Sequence, residues 1–348
     1  MLKTFESLKR VVNYKRRGVV TDNFIFKLHY RVTFGFLAAC CLIVTSQHYV
    51  GDRINCVAED KKNMKVINSF CFFSSTFTVP GGDAHPGVGP YVQGEDPEKH
   101  HAYYQWVPFV LFLQALAFYA PHYMWRVLEG GRMTLLVQYL EHSYLSLTEA
   151  NLKIGEDVIP TRSEKSHRLQ IIRNVFFQRL YILKVWAVDL ILCEILNAVL
   201  LVCQILFTHH FVGSRSDLTF PKMTKCNFHK YGSSGTIQLY DALCVLPLNL
   251  FHERIFLFLW YWYMVLSVMT AAGLLWRLVT FILHSRSIRF NKIAFAIIHP
   301  NLSHVWELVT LTGENHYSDW LFLYYLAKNL GPLVFQELFL ITAAEIEV

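Results

Sequence analysis

The sequence predicts an all-α membrane protein: one subunit of four transmembrane helices with a cytoplasmic helical layer and disulfide-linked extracellular loops. Three observations carry this. The chain of 348 residues is 53% hydrophobic and 15% aromatic but only 17% charged, where about 25% is usual for a soluble domain, so too little charge remains to cover a water-facing surface. Its charges also leave four long gaps, with 20 uncharged residues between Arg31 and Asp52, 26 between Lys99 and Arg126, 20 between Glu194 and Arg215 and 22 between Arg254 and Arg277. A bilayer core takes about 20 predominantly apolar residues as a helix and penalises each charge by roughly 2.5–3.5 kcal/mol on insertion scales. Finally, the 8 cysteines are segregated, as detailed below. With 17 Gly, 11 Pro and abundant aromatics, disorder and collagen-like structure are excluded.

Along the chain, residues 1–31 form a basic arm with eight Lys and Arg. It is not followed by a small-residue cleavage site of the usual kind, so the first span is expected to remain as an anchor at 32–47. A loop at 48–103 follows. Its stretch Val66 to Gly82 is also charge-free, but it is short, rich in Ser and Thr and ends in Pro80, Gly81 and Gly82, which predicts a loop or strand. The second span is placed at 104–125, with Pro108 and Pro121 expected to kink it by removing backbone donors.

The central loop, 126–184, carries nine Lys and Arg, and within it Met133 to Leu147 and Arg168 to Trp186 show apolar residues at helical spacing. The third span, 185–207, contains Asp189 and Glu194. Five residues apart, these are turned roughly 140° from each other on a helix, so they do not make one paired carboxylate site, and each must face protein or water. A loop at 208–254 leads to the fourth span at 255–275. In the tail, 276–348, Ser318 is expected to cap a helix over Trp320 to Leu330 that Gly331 and Pro332 end. With eight and nine basic residues in the arm and central loop against five in each of the other loops, the positive-inside bias puts both termini and the central loop in the cytoplasm.

Cysteines test that topology, because pairing belongs on an oxidising face. Cys40, Cys41, Cys193 and Cys203 fall in spans, Cys56 and Cys71 in the first outer loop, and Cys226 and Cys244 in the second. The four outer cysteines are expected to form disulfides, and spacing leaves their pairings open.

Chemistry-bearing motifs are scarce. His252-Glu253 is not completed to a His-Glu-x-x-His zinc helix, and the sequence has no Walker loop, no Gly-x-Ser-x-Gly elbow and no Cys-x-x-Cys pair. Neither catalysis nor a metal or other cofactor is expected. Basic clusters such as Lys15-Arg16-Arg17 read as topology signals or contacts to anionic membrane lipids, and no nucleic-acid partner is expected.

Sequence detail then narrows the class. Tyr103-Tyr104-Gln105-Trp106-Val107-Pro108-Phe109 resembles the signature that opens the second span of the innexins, invertebrate gap-junction proteins with viral relatives. The similarity extends through Gly130-Gly131-Arg132, Cys193-Glu194 with Asn197, and Lys225-Cys226-Asn227-Phe228-His229-Lys230-Tyr231-Gly232. It continues in Cys244-Val245-Leu246-Pro247-Leu248-Asn249, Glu253-Arg254 and the aromatic run Phe258 to Trp262. Phe26-Lys27-Leu28-His29-Tyr30 and Ser75-Thr76-Phe77-Thr78-Val79-Pro80 fit as well, so the resemblance covers nearly the whole chain.

That resemblance implies a plasma-membrane subunit that assembles as a homo- or hetero-oligomer, in that family eight to a hemichannel, and docks with an apposed hemichannel to pass ions and small solutes. It implies disulfides Cys56–Cys244 and Cys71–Cys226, and a pore constriction formed by Met1, Leu2, Lys3, Thr4 and Phe5. Two departures stand out. Thr208 to Lys225 is short for the segment that usually precedes this cysteine, and Gly331 stands where an acidic residue is common. The chain stops soon afterwards, so regulation through a long tail is not expected. A pannexin-like release hemichannel and a non-conducting junctional adhesion protein are the alternative functions.

Overall fold

The computed structural model describes residues 18–51, 53–57, 64–74, 76–79, 98–101, 103–144, 153–154, 157–158, 180–212, 220–298, 316–332 and 334–335. In chain order, helix α1 is a continuous run of Phe24–Lys27, a π-helical segment Leu28–Thr33 and Phe34–Val50. Then come β1 (Asn55–Val57), α2 (Met64–Ser74), β2 (Thr76–Thr78), β3 (Lys99–His101), a 3-10 turn at Tyr103–Gln105, α3 (Val107–Glu129) and α4 (Arg132–Tyr144). A small pair β4 (Lys153–Ile154) and β5 (Asp157–Val158) precedes α5 (Leu180–Val212), β6 (Met223–Tyr231), β7 (Ile237–Val245), α6 (Pro247–Leu283), α7 (Ile288–Ile298) and α8 (Tyr317–Asn329).

Four helical stretches are long and apolar enough to cross a membrane: Phe24–Gln47, Val107–Glu129, Lys184–Val212 and Pro247–Leu283. They correspond one to one with the four charge gaps, and most run past them. A helix satisfies its own backbone whether lipid or water surrounds it, and long basic side chains such as Lys27 and Arg31 extend away from an apolar stretch, so a charge ends the gap without ending the helix. The second helix starts late, at Val107, because Tyr103–Gln105 forms the 3-10 turn.

Several expectations are corrected. Pro108 does not kink its helix. It stands in the first turn of α3, where its missing N–H had no intrahelical acceptor to lose, whereas Pro121 lies inside the helix. The stretch expected as loop or strand is first a helix, α2, because Ile67, Cys71 and Phe72 recur at helical spacing and are buried together, and only then the strand β2. Residue His316, not Ser318, occupies the cap position of α8, and Ser318 lies inside the first turn. Arg168 to Arg179 of the second helical pattern in the central loop lie outside the described residues, while the first pattern is α4.

The chain divides into two compact units. The first comprises residues 1–23, 125–192 and 275–348. Here Gly130 and Gly131, at φ 59° and 76°, make the corner that ends α3, a conformation that penalises any side chain. The Glu129 carboxylate then accepts from the N–H groups of Gly131 (2.7 Å) and Met133 (2.8 Å), satisfying donors at the start of α4. An aromatic core assembles from Trp125, Trp186, Phe322 and Tyr325, with Trp186 packed edge-on against the other three at centroid distances of 5.3–5.6 Å. Tail helices α7 and α8 are joined by Trp320, which donates from Nε1 to Asn291 Oδ1 at 2.9 Å and stacks on Tyr317 and Tyr324.

The second unit comprises residues 24–124 and 193–274. Its core draws Leu37 and Val44 from α1, Leu111 and Phe118 from α3, Leu201 from α5 and Leu259, Tyr263 and Leu266 from α6. Polar side chains within it find one another: Thr270 donates to Leu266 O and accepts from His29 Nε2 at 2.9 Å. Thr33 bridges the π turn to Leu28 O and accepts from Trp262 Nε1 at 2.9 Å. Outside this core the spanning stretches expose large apolar side chains, among them Leu42, Leu113, Val202, Leu206, Tyr261 and Val268, a surface suited to lipid or to neighbouring subunits.

Truncating Trp320 to Ala removes a fully buried ring and leaves the Asn291 carbonyl oxygen without its donor. The expected loss is about 3–5 kcal/mol, read as a lower midpoint when the detergent-solubilised protein is heated and its remaining folded fraction followed by size exclusion.

Candidate functional site

The candidate site is the region built from the two loops that carry cysteines. Five strands from both loops form one sheet in the order β1-β7-β6-β2-β3. Its centre is a hairpin: β6 and β7 pair over nine residues each, from Met223↔Val245 to Tyr231↔Ile237, and Gly235, at φ 78°, shapes the turn between them. The first loop contributes both flanks. β1 pairs with β7 so that Cys56 lies opposite Cys244, and β2 pairs with β6 at Phe77↔Lys225 and with β3 along its length.

Two disulfides fix this arrangement. Cys56 is bonded to Cys244 within the β1–β7 ladder, and Cys71 on α2 is bonded to Cys226 on β6, clamping the helix to the sheet. The bridges link residues 188 and 155 apart in sequence. Cross-links of this kind typically contribute about 2–4 kcal/mol each, largely by restricting the unfolded chain. Alternation along the strands sends Cys226, Ala242 and Cys244 to one face, where they are buried with Ile54, Ile67, Phe72 and Tyr104.

Local hydrogen bonds complete the frame. The Cys56 N–H donates to Asn68 Oδ1 at 3.0 Å, tying α2 to β1. Tyr104 Oη and Gln105 Nε2 both donate to Phe72 O, at 2.9 and 2.8 Å, so the aromatic signature before the second span braces the end of α2. Asn249 Nδ2 donates to Pro221 O and to Tyr103 Oη, holding the start of α6 beside the entry to β6. Lys222 and Glu253 form an ion pair at 3.3 Å across the same junction.

The opposite face of the sheet is exposed and mixed, with Asn55, Lys225, Asn227, His229 and Asp241 set among apolar side chains. Val57, Tyr231, Ile237, Leu239, Leu243 and Val245 alternate onto it, with Tyr231 73% and Ile237 62% exposed at the hairpin tip. A rigid sheet with disulfides behind it and unburied aliphatic and aromatic groups in front is suited to contact with protein.

Of the singled-out residues, the structure brings the four loop cysteines together in two bonds, in the pairing that the resemblance implied. Met1, Leu2, Lys3, Thr4 and Phe5 lie outside the described residues. Asp189 is half-buried on α5 in the first unit, while Glu194 is buried in the second, one turn from the buried Asn197. Sequence reasoning missed Asn68, Tyr104, Gln105 and Asn249 as braces. The motifs Tyr103 to Phe109 and Cys244 to Asn249 marked the last three, but only the folded register shows which carbonyl each side chain reaches.

This geometry defines a class: a four-span membrane subunit whose two cysteine-bearing loops are locked together as one sheet with an exposed face. The innexin family model matches residues 22–219 and 214–344. The chain is 39% identical to "Innexin inx7" of Drosophila melanogaster over 99% of the chain and 85% of that protein. It is also 37% identical to "Innexin inx2" of Schistocerca americana over 100% and 99%, and 36% identical to "Innexin inx2" of Drosophila melanogaster over 97% and 94%. The chain belongs to the innexin family.

His101 supplies a pH test of the sheet. It is buried beside Thr78, with Nε2 2.8 Å from Oγ1, and loss of solvent, reinforced by Lys99 and His100, lowers its pKa from 6.5 to about 4. The unfolded state therefore binds more protons between those values, so stability is complete above pH 6.5 and declines as pH falls toward 4. Melting of the purified protein is expected to drop across that window, and His101→Gln to flatten the dependence.

Proposed function

We propose that this chain is a subunit of a gap-junction channel, assembling with copies of itself or with other innexins, eight to a hemichannel, and docking with an apposed hemichannel in the plasma membrane of a neighbouring cell. The carrying observation is that an innexin match over nearly the whole chain coincides with two loops tied by two disulfides into a single sheet whose exposed face presents aliphatic and aromatic side chains among polar ones. Docking between membranes requires a surface that keeps its shape without a partner, and cross-linked strands supply one.

The loops at 48–103 and 208–254 face outside in this reading, and both termini and the loop at 126–184 face the cytoplasm. The excess of Lys and Arg in the arm and central loop supports that orientation. Met1 to Phe5 form the constriction, and selectivity comes from pore width and lining charge, with no covalent step and no cofactor. Lipid covers the remaining apolar span surface.

Recording from paired and single cells decides the reading. Current between paired cells is expected. Current from single cells alone indicates a release channel, and no current in either, with protein at the contact, indicates adhesion. Cys56→Ser removes one of the two cross-links and is expected to abolish coupling between cells while surface biotinylation stays near the wild-type level; coupling that persists counts against the loop sheet as the docking element.

A further inference from the structure

The residues that begin the described chain, 18–22, are held by an unusual contact. Asn329, the last residue of tail helix α8, grips the backbone of Val20 from both sides: the Val20 N–H donates to Asn329 Oδ1 at 2.6 Å, and Asn329 Nδ2 donates to Val20 O at 2.9 Å. A side-chain amide here replaces the partner that a neighbouring strand would offer, joining positions 309 residues apart in sequence. Asn329 is itself fixed, because Nδ2 also donates to Tyr325 O at 2.8 Å.

A second tie lies two residues on. Trp125 Nε1 donates to the buried Asp22 carboxylate at 3.1 Å, and the Thr21 hydroxyl donates to the same oxygen at 2.9 Å. Both ties end in one aromatic core. Trp125 packs on Trp186, Trp186 packs on Tyr325, and the Tyr325 hydroxyl accepts from Arg277 Nη2 at 2.9 Å, with the guanidinium 5.7 Å from its ring. The base of the arm is thus bound to α8, to the end of α3 and, through the core, to the start of α5 and the inner part of α6. Each contact lies within one compact unit.

We infer that Asn329 is a positioning residue for the N-terminal arm: tail helix α8 sets where the arm begins, and a change in α8 alters the open–closed equilibrium of the channel. The inference rests on the gap-junction reading, in which the arm narrows the pore, and it adds the element that controls the arm. Packing alone does not call for such an amide. A leucine at the end of α8 would serve a core, but only a side chain with both a donor and an acceptor matches both backbone groups of one residue. Because the two hydrogen bonds are made to backbone, any residue but proline at position 20 permits them, so control resides in position 329.

The test compares wild type, Asn329→Ala and the near-isosteric Asn329→Asp in paired cells, recording junctional current against transjunctional voltage. Surface amount and oligomer size are measured alongside. Asn329→Ala loses both bonds to Val20, and Asn329→Asp keeps the acceptor but sets an oxygen against Val20 O. The open–closed equilibrium is expected to shift by roughly threefold to tenfold in Asn329→Ala, the range that losing one or two hydrogen bonds produces. Asn329→Asp is expected to shift it in the same direction, with surface amount and oligomer size unchanged in both. Voltage dependence identical to wild type at normal surface amount overturns the inference. So does retention of both variants inside the cell, which assigns Asn329 to assembly. Absence of current in wild-type pairs overturns the gap-junction reading itself and is told apart by that control.

Discussion

The structure depends on one constraint: hydrocarbon accepts a backbone only when its polar groups are bonded within it. Four helical stretches of at least 23 residues meet that demand, and the strands are confined to the segments between them. The same constraint explains the few polar contacts inside the bundle. His29 meets Thr270, Trp262 meets Thr33, and Gln114 Nε2 donates to Thr208, so these side chains enter an apolar interior with a partner at hand. The π turn at Leu28–Thr33 is bridged by one of its own hydroxyls.

Beyond the spans the stabilising chemistry changes. Short loops have too little apolar surface to build a large core of their own, and here sulfur substitutes for size: among the described residues, the cluster beneath the sheet has ten buried members, four of them the paired cysteines. In the first unit large aromatic rings, among them Trp125, Trp186 and Trp320, pack among aliphatic side chains. These flat rings bring edges and hydrogen-bonding groups together, so Trp125 and Trp320 each fill space and tie a polar partner.

The spans and the division of the cysteines between spans and loops were legible in the sequence because they follow from composition over windows of about 20 residues, where a bilayer imposes a coarse rule. The helical character of Met133 onward in α4 and Trp320 onward in α8 was legible from apolar spacing. What was not legible depends on register. The sequence left three ways to pair the loop cysteines, and only the resemblance selected one; the reason is visible in β1 lying beside β7 with Cys56 opposite Cys244. Helix α2 was hidden by the Ser and Thr around it and by the Pro80–Gly82 stop, which describe its end rather than its body. Asn329 resembled an ordinary helix terminus, since nothing in local pattern points to a partner at Val20.

The nesting of the two bridges constrains how the protein is made. Cys56 and Cys71 emerge from the ribosome long before Cys226 and Cys244, which follow them by 155 and 188 residues. At about 5–20 residues per second, the early thiols wait on the order of ten to forty seconds for their mates. During that interval they have each other within easy reach, only 15 positions apart, and a bond between them would have to be exchanged before the sheet could close. Formation of both native bridges therefore requires that thiol–disulfide exchange stay open until the last hairpin has been made.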